Sequence, residues 1–400
     1  MTTVSSRSSS SLAALLGALA MLPACTDHES VQVGTTSLAV EVTSPTNLGS
    51  PDAPLCLDPS LPCAERTVAV SIKALDQDGH VDPSVNGDLD VYAHFLGTLT
   101  PDQGDHVPLT TLTMTAGVAS GQLELDTAFG STIVWVEDVT RPGASYATGV
   151  SPAFYFRDPF LADVQDSSGI SRLAWLERSP LEGKQVRISR SQFADAGKLV
   201  VTGVYAQGYT VSDVKTADRT APPFAHAFIY TFGRPSAQGG RDILVGSIVK
   251  TVSGGVSEFN GYTEYNFPAT ELTSDKENPA LVPDAVLLDP AWLSLPADPN
   301  GMINLEKLES GLVRIDGGKV CDTAGDTSFT RFGQWRLDVG GGCGAKSFSV
   351  ATKGQIADFD PTQHKDEVIP TVIGTLRAVN IGSFHVWIVQ PRTMADIQLN

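Results

Sequence analysis

Aromatic residues recur along residues 200–270, in places at every second position, the spacing that puts side chains on one face of a strand. Aromatic rings can stack on bases or sugars, and nearby arginines can meet phosphates. We predict Tyr209 and Tyr230, on adjacent strands, as stacking platforms, with Arg234 and Arg241 supplying charge from the following loop. The alternative that these aromatics pack in a core or between domains stays open, because most strand aromatics do.

Residues that could perform catalysis form no recognisable constellation. The sequence lacks the Gly-x-Ser-x-Gly elbow, the His-Glu-x-x-His zinc motif and the Gly-x-x-x-x-Gly-Lys phosphate loop. Its 7 histidines are scattered singly. We therefore predict that the protein is not an enzyme and that it uses no cofactor.

Two acidic loops, at residues 76–82 and 358–367, carry carboxylates that could serve as oxygen ligands for Ca²⁺. Neither loop has the spacing of an EF-hand. Asp-Gly turns also join strands very commonly, without any ion. We predict no metal site here, and calcium binding stays open as the alternative.

The charge of the chain is strongly acidic but unevenly distributed. Its 400 residues include 27 Lys+Arg and 45 Asp+Glu, a formal net charge of -18, which argues against a strongly basic nucleic-acid binder. Residues 35–165 hold 4 Lys+Arg against 17 Asp+Glu, whereas residues 180–275 hold 9 of each and residues 306–400 hold 10 against 11. The acidity therefore belongs to the amino-terminal third of the chain.

Residues 1–24 have the pattern of an export signal: a Ser-rich start with Arg7, then an apolar run too short to span a bilayer. The sequence Leu-Pro-Ala-Cys that ends at Cys25 resembles the bacterial lipobox. That resemblance implies acylation of Cys25, a tether over residues 25–34, and anchoring of the exported protein at the outer membrane or cell surface. A simple cleaved signal is the alternative.

The other four cysteines form two local sets in the sequence. Because short loops close at small entropic cost and export implies an oxidising compartment, we predict disulfides Cys56–Cys63 and Cys321–Cys343. Zinc binding would need histidines or further cysteines at close spacing, and neither set has them.

Period-two alternation of apolar residues runs through most of the chain and predicts an all-β protein. About seven short strands over residues 35–165 indicate a two-sheet sandwich. The strand and turn segments around Thr67, Gly79, Gly87 and Gly130 resemble the Ig-like domains of bacterial surface proteins. A polar linker is predicted to follow at residues 166–179.

Residues 181–188 (LEGKQVRI) recur as residues 308–315 (LESGLVRI), and similar strands follow each copy. This repeat indicates two related barrels, over residues 180–275 and 306–400, with a connector at 276–305. The first copy, from Leu181 through the Gly208 hairpin to the turn ending at Gly261, is similar to OB-fold modules attached to extracellular nucleases and phosphoesterases. The resemblance implies a binding face for oligonucleotides, oligosaccharides or proteins.

Together these features predict an Ig-like sandwich followed by two OB-like barrels. We expect a non-catalytic exported lipoprotein that presents a binding or scaffolding surface, with an envelope protein, a glycan or single-stranded nucleic acid as partner. An oligonucleotide- or oligosaccharide-binding protein, or an accessory of an envelope hydrolase, is the alternative. The sequence does not specify an oligomeric state.

Overall fold

A computed structural model describes residues 37–58, 63–97, 107–140, 146–169, 178–293, 299–344, 346–381 and 384–399. Strands dominate these residues and only short helices accompany them, so the predicted all-β class is confirmed. Among the described residues, no helix has both the length and the apolar character needed to cross a membrane. The predicted signal, the tether and Cys25 lie outside the described part.

The amino-terminal domain is a sandwich of two antiparallel sheets. Its strands are β1 (Ser37–Ser44), β2 (Thr67–Leu75), β3 (Gly87–Phe95), β4 (Thr110–Met114), β5 (Val118–Glu124), β6 (Ser131–Asp138), β7 (Gly149–Val150) and β8 (Phe154–Tyr155). One sheet has the order β1-β2-β5 and the other β4-β3-β6-β7, with β8 also on β6. The predicted alternation is confirmed, since Val68, Val70 and Ile72 all point into the core between the sheets.

Barrel 1 follows the sandwich and a short helix. Its elements are α1 (Leu161–Gln165), β9 (Gln185–Ile188), β10 (Gly197–Tyr205), β11 (Gly208–Lys215), β12 (His226–Tyr230), β13 (Ile248–Glu258) and β14 (Thr263–Leu272). The strand order is β10-β11-β12-β14-β13, and β13 closes the barrel by pairing with β10. Strands β12 and β14 run parallel. This is the five-stranded OB-like arrangement.

Barrel 2 repeats that arrangement. Its elements are β15 (Val286–Leu287), α2 (Pro299–Glu306), β16 (Leu312–Val320), α3 (Thr327–Phe332), β17 (Gln334–Asp338), β18 (Phe348–Ala351), β19 (Val368–Ile381), β20 (Phe384–Gln390) and β21 (Ile397–Gln398). The order is β16-β17-β18-β20-β19, with β19 closing onto β16 and β18 parallel to β20. The short strands β15 and β21 flank the barrel.

The repeated sequence occupies the same place in both barrels. Val186 of β9 pairs with Gly254 of β13, and the matching Val313 of β16 pairs with Gly374 of β19. In barrel 1, however, the chain leaves the barrel after β9 and returns as β10, whereas β16 is one continuous strand. The repeat thus marks the first strand of each barrel.

Both predicted disulfides are confirmed. Cys56–Cys63 closes a short loop between β1 and β2. Cys321–Cys343 joins the end of β16 to the β17–β18 connection, so it encloses α3 and β17.

The sandwich and barrel 1 share side chains at their junction. Leu161 and Val164 of α1 lie in the core of barrel 1, although sequence patterns assign them to the end of the sandwich. Phe129, from the turn between β5 and β6, lies in the same core, and the guanidinium of Arg66 sits 4.8 Å from its ring centroid. By its packing, α1 belongs to the barrel.

A polar seam joins the two barrels. The hydroxyls of Tyr205 and Thr375 share a 2.6 Å hydrogen bond, and Nη1 of Arg392 donates to the carbonyl oxygen of Thr202 at 2.9 Å. Gly311 packs against the ring of His226, where a Cβ would lie 2.8 Å from the imidazole. Barrel 2 therefore covers part of the outer face of barrel 1.

Candidate binding cleft at the seam

A cleft of about 530 Å³ opens where the two barrels meet. Strand β12 forms one wall because its alternation turns Ala227 and Ile229 into the barrel and leaves Phe228 and Tyr230 outside. The β10–β11 turn contributes Gln207 to the lining, and the β13–β14 turn contributes its own residues. These are the strand and the two loops that form the ligand-binding face of OB folds.

A ladder of aromatic rings runs along this wall. The ring centroids of Phe228 and Tyr230 are 6.5 Å apart, those of Tyr230 and Phe232 are 4.5 Å apart, and those of Phe232 and Phe267 are 5.0 Å apart. Phe232 is 53% exposed, Phe259 55% and Phe267 77%. A contiguous patch of exposed large apolar side chains points to a binding surface.

Two exposed rings of this ladder, those of Phe232 and Phe267, belong to residues with an unusual backbone conformation. Phe232 has φ of 59° and Phe267 has φ of 51°, both in the left-handed region that bulky residues rarely adopt. Such conformations cost free energy and cluster at ligand sites. Burial does not offset that cost, because both rings are largely exposed, Phe232 in the cleft lining and Phe267 beside it.

Barrel 2 supplies polar groups to the opposite wall. Gln355 is fixed there, because its Nε2 donates to the carbonyl oxygens of Val204 at 3.2 Å and Arg392 at 2.9 Å. Arg377 projects from β19, with its guanidinium carbon 5.2 Å from the ring centroid of Tyr262. Its buried Nε has no hydrogen-bond partner among the residues that the structure describes. The cleft is thus aromatic on one side and hydrogen-bonding on the other.

Among the described residues that line the cleft, Glu264 alone carries a carboxyl group. The residue is 5% exposed, and burial raises the pKa of this carboxyl to about 7, against the opposing influence of Arg377. Near neutral pH, Glu264 can therefore donate a hydrogen bond as well as accept one. The neighbouring Asn266 adds an amide that already donates to Ser257 at 2.5 Å.

Of the four ligand-binding residues predicted from the sequence, the structure places one in the cleft lining. The prediction that Tyr209 is a stacking platform is wrong: its ring is fully buried in barrel 1 and its hydroxyl shares a 2.5 Å hydrogen bond with Thr270. Tyr230, the other predicted stacking platform, does line the cleft, where its ring can be reached by a ligand. Arg234 and Arg241 lie outside the cleft lining, Arg234 in an exposed ion pair with Asp242.

Residues that the sequence prediction missed complete the cleft. Phe259 sits in the β13–β14 turn, where a lone exposed aromatic between Glu258 and Asn260 is a signal that could have singled it out. Arg377 and Gln355 come from barrel 2, more than a hundred positions along the chain. No local pattern in the sequence relates them to β12.

The acidic loop at residues 76–82 brings Asp76, Asp78 and His80 together, with ligand atoms within 4.8 Å of one another. Asp76 Oδ1, however, accepts hydrogen bonds from the backbone N–H groups of Asp78 and His80 at 2.9 and 2.8 Å. All three residues belong to an exposed turn between strands. The arrangement is that of a carboxylate-capped turn.

A buried carboxyl group, that of Glu309, lies where barrel 2 begins. Its Oε1 accepts hydrogen bonds from Nε2 of Gln165 at 2.9 Å and from the backbone N–H of Thr263 at 3.1 Å. Burial raises the pKa of this carboxyl well above its ordinary range. Glu309 is fully buried and thereby ties α1, barrel 1 and barrel 2 together.

Comparisons of the chain with protein-family models, with curated protein sequences and with solved structures found no match. A function for this protein therefore has to follow from the cleft itself.

Proposed function

We propose that the protein is a non-catalytic binding protein whose seam cleft holds a neutral oligosaccharide. The observation that carries this proposal is the ladder of exposed rings ending in Phe232 and Phe267, held on strained backbone beside amide groups. Flat rings can pack against the apolar faces of sugar rings, while amides such as that of Gln207 can bond to hydroxyls. OB folds bind oligosaccharides on this same face.

Charge favours a glycan over a nucleic acid. Binding of single strands relies on cations along the backbone path. The arginines closest in sequence to the ladder are already engaged, Arg234 with Asp242 and Arg241 through its Nη1 with the carbonyl oxygen of Thr273. The aromatic wall instead carries Glu264. Lys353 and Arg377 also line the cleft, but two cations beside one carboxyl group do not form the continuous cationic path that a polyanion needs. A neutral ligand therefore suits the cleft better.

The test is a titration of the full chain with a panel of neutral oligosaccharides and with oligo-dT at low and high salt. Replacing Phe267 or Phe232 by Ala should weaken glycan binding by about 1 to 3 kcal/mol for each stacked ring removed. Phe332→Ala is the matched control, because Phe332 is 69% exposed but belongs neither to the aromatic ladder nor to the lining of this cleft.

Two outcomes would contradict the proposal. One is equal glycan affinity in the Phe267→Ala and Phe332→Ala variants. The other is salt-dependent binding of oligo-dT with no binding of neutral sugars, which would favour the nucleic-acid alternative.

We also propose that the protein is exported and anchored through an acylated Cys25, supported by the apolar run and the lipobox-like sequence that ends there. Cys25→Ser should release the protein from membranes into the soluble fraction. Unchanged fractionation together with an unchanged intact mass would refute this anchor.

A further inference from the structure

A second groove, of about 590 Å³, lies on barrel 2 beside the seam cleft. One wall is the end of α3 with Phe332, and the other is the outer face of β19 and β20 with Val379, Ile381 and Ile388. Phe332 is 69% exposed and Ile381 is 55% exposed. The groove therefore presents an apolar lining to solvent, which is unfavourable unless something occupies it.

The α3 wall is held firmly although the helix is short. Asp326 caps it by accepting from the backbone N–H of Ser328 at 2.8 Å, and Nη2 of Arg336 donates to the same carboxylate at 3.0 Å. Gly333 ends the helix in the left-handed conformation, with its N–H donating to the carbonyl oxygen of Phe329 at 2.8 Å. These contacts hold the backbone that carries Phe332 at the rim of the groove.

The charged residues that line this groove are all of one sign. Arg331, Lys353 and Arg377 line it, and its lining includes no Asp or Glu in the described part of the chain. Among the described residues none of the three forms an ion pair, although Lys353 Nζ donates to the carbonyl oxygens of Thr330 and Arg331 at 3.4 Å and Arg377 lies over the ring of Tyr262. In a chain of formal net charge -18, a groove whose described lining has three cations outside any ion pair and no carboxylate favours an anion.

We propose that this groove binds a long-chain fatty carboxylate. The alkyl chain would lie between Phe332 and the pair Ile381 and Ile388, where each buried methylene group adds favourable free energy. The carboxylate would meet Lys353 and Arg377, which lie at the end shared with the seam cleft. The concave shape suits a single chain, and the cations determine which end of that chain faces the seam.

The experiment measures binding of dodecanoate to the full chain below its micelle concentration. Two comparison compounds separate the parts of the proposal: dodecyltrimethylammonium has the same chain with the opposite charge, and butyrate has the same head with a short chain. Dodecanoate should bind at least tenfold more tightly than either one. Equal affinity for the two long-chain compounds would overturn the proposal, as would binding to anionic vesicles without binding of free dodecanoate.

Variants distinguish this groove from the oligosaccharide cleft. Ile381→Ser and Phe332→Ser should each weaken dodecanoate binding at least tenfold, and Lys353→Gln should remove the preference for the anionic compound. Phe267→Ala, which alters only the aromatic ladder, should leave dodecanoate affinity unchanged. If dodecanoate binds equally well to all four variants, the groove is not its site, whatever the result with sugars.

Discussion

The two barrels share their strand order and their pattern of closure but differ on their outer faces. Tyr209 and Trp335 are each the second residue of the second barrel strand, both are fully buried, and each bonds to a threonine hydroxyl. Outside, barrel 1 carries a ladder of aromatic rings, whereas barrel 2 carries aliphatic residues and cations. Closure of a small barrel restricts which side chains fit inside it, whereas the side chains on its outer surface can differ between the two barrels.

Truncating the equivalent core residues Tyr209 and Trp335 should lower the stability of the protein more than any other change considered. Tyr209→Ala and Trp335→Ala should each lower the free energy of unfolding by about 3 to 5 kcal/mol, because each leaves a cavity in a closed barrel. Tyr209→Phe should cost about 1 kcal/mol, since it removes only the hydrogen bond to Thr270. Urea denaturation measures all three.

The Tyr209→Phe variant also tests whether Tyr209 only packs in the core or contacts a ligand as well. Its affinity for oligosaccharides should equal that of the wild type. A tenfold loss of affinity without loss of stability would mean that the Tyr209 ring reaches the ligand after all.

Loss of the disulfides should have the next largest effect. The Cys321→Ser, Cys343→Ser double variant should lose about 3 kcal/mol of stability, and the Cys56→Ser, Cys63→Ser variant about 2 kcal/mol. The difference follows from the sequence separations of 22 and 7 residues, because a longer loop gains more entropy when opened. Equal losses would show that the loops are restrained by other contacts.

The carboxyl of Glu264 should make stability depend on pH. Its pKa of about 7 exceeds the ordinary value of 4.5, so the folded protein holds a proton that the unfolded chain has lost between these values. The free energy of unfolding contributed by this group therefore falls as the pH rises from 4.5 to 7. Relative to Glu264→Gln, the wild type should lose about 1 to 2 kcal/mol across this window.

His226 changes the stability with pH in the opposite direction to Glu264. It is present in both the wild type and the Glu264→Gln variant. Burial lowers its pKa to about 4, so its contribution to stability rises with pH between that value and 6.5. Taking the difference between wild type and Glu264→Gln at each pH removes this background. A difference that does not change with pH would contradict the assignment of Glu264.

The smallest effect should come from the exposed arginine of barrel 1. Arg234 is 81% exposed in its side chain and its partner Asp242 is 64% exposed. Arg234→Ala should change stability by less than about 0.5 kcal/mol and leave glycan affinity unchanged. A tenfold loss of affinity would extend the binding surface beyond the seam cleft.

Sequence patterns predict the fold well because burial of one face imposes period two on strands such as β2 and β6, although β11 is buried at seven consecutive positions. They also predict the disulfides, since short loops restrict the pairing. They fail for Tyr209 because alternation identifies two faces of a strand without saying which one is inside. They miss Arg377 because the seam is a long-range contact, and no local signal relates β19 to β12.

The shared core at the first junction has a consequence for cooperativity. Phe129 comes from the sandwich, yet it packs with Leu161 and Val164 inside barrel 1. Melting the sandwich would withdraw that ring and loosen the barrel, so the two regions should unfold in one transition rather than two. A fragment that starts at Leu181 would lack all three side chains. The minimal autonomous folding unit of barrel 1 therefore includes part of the domain that precedes it.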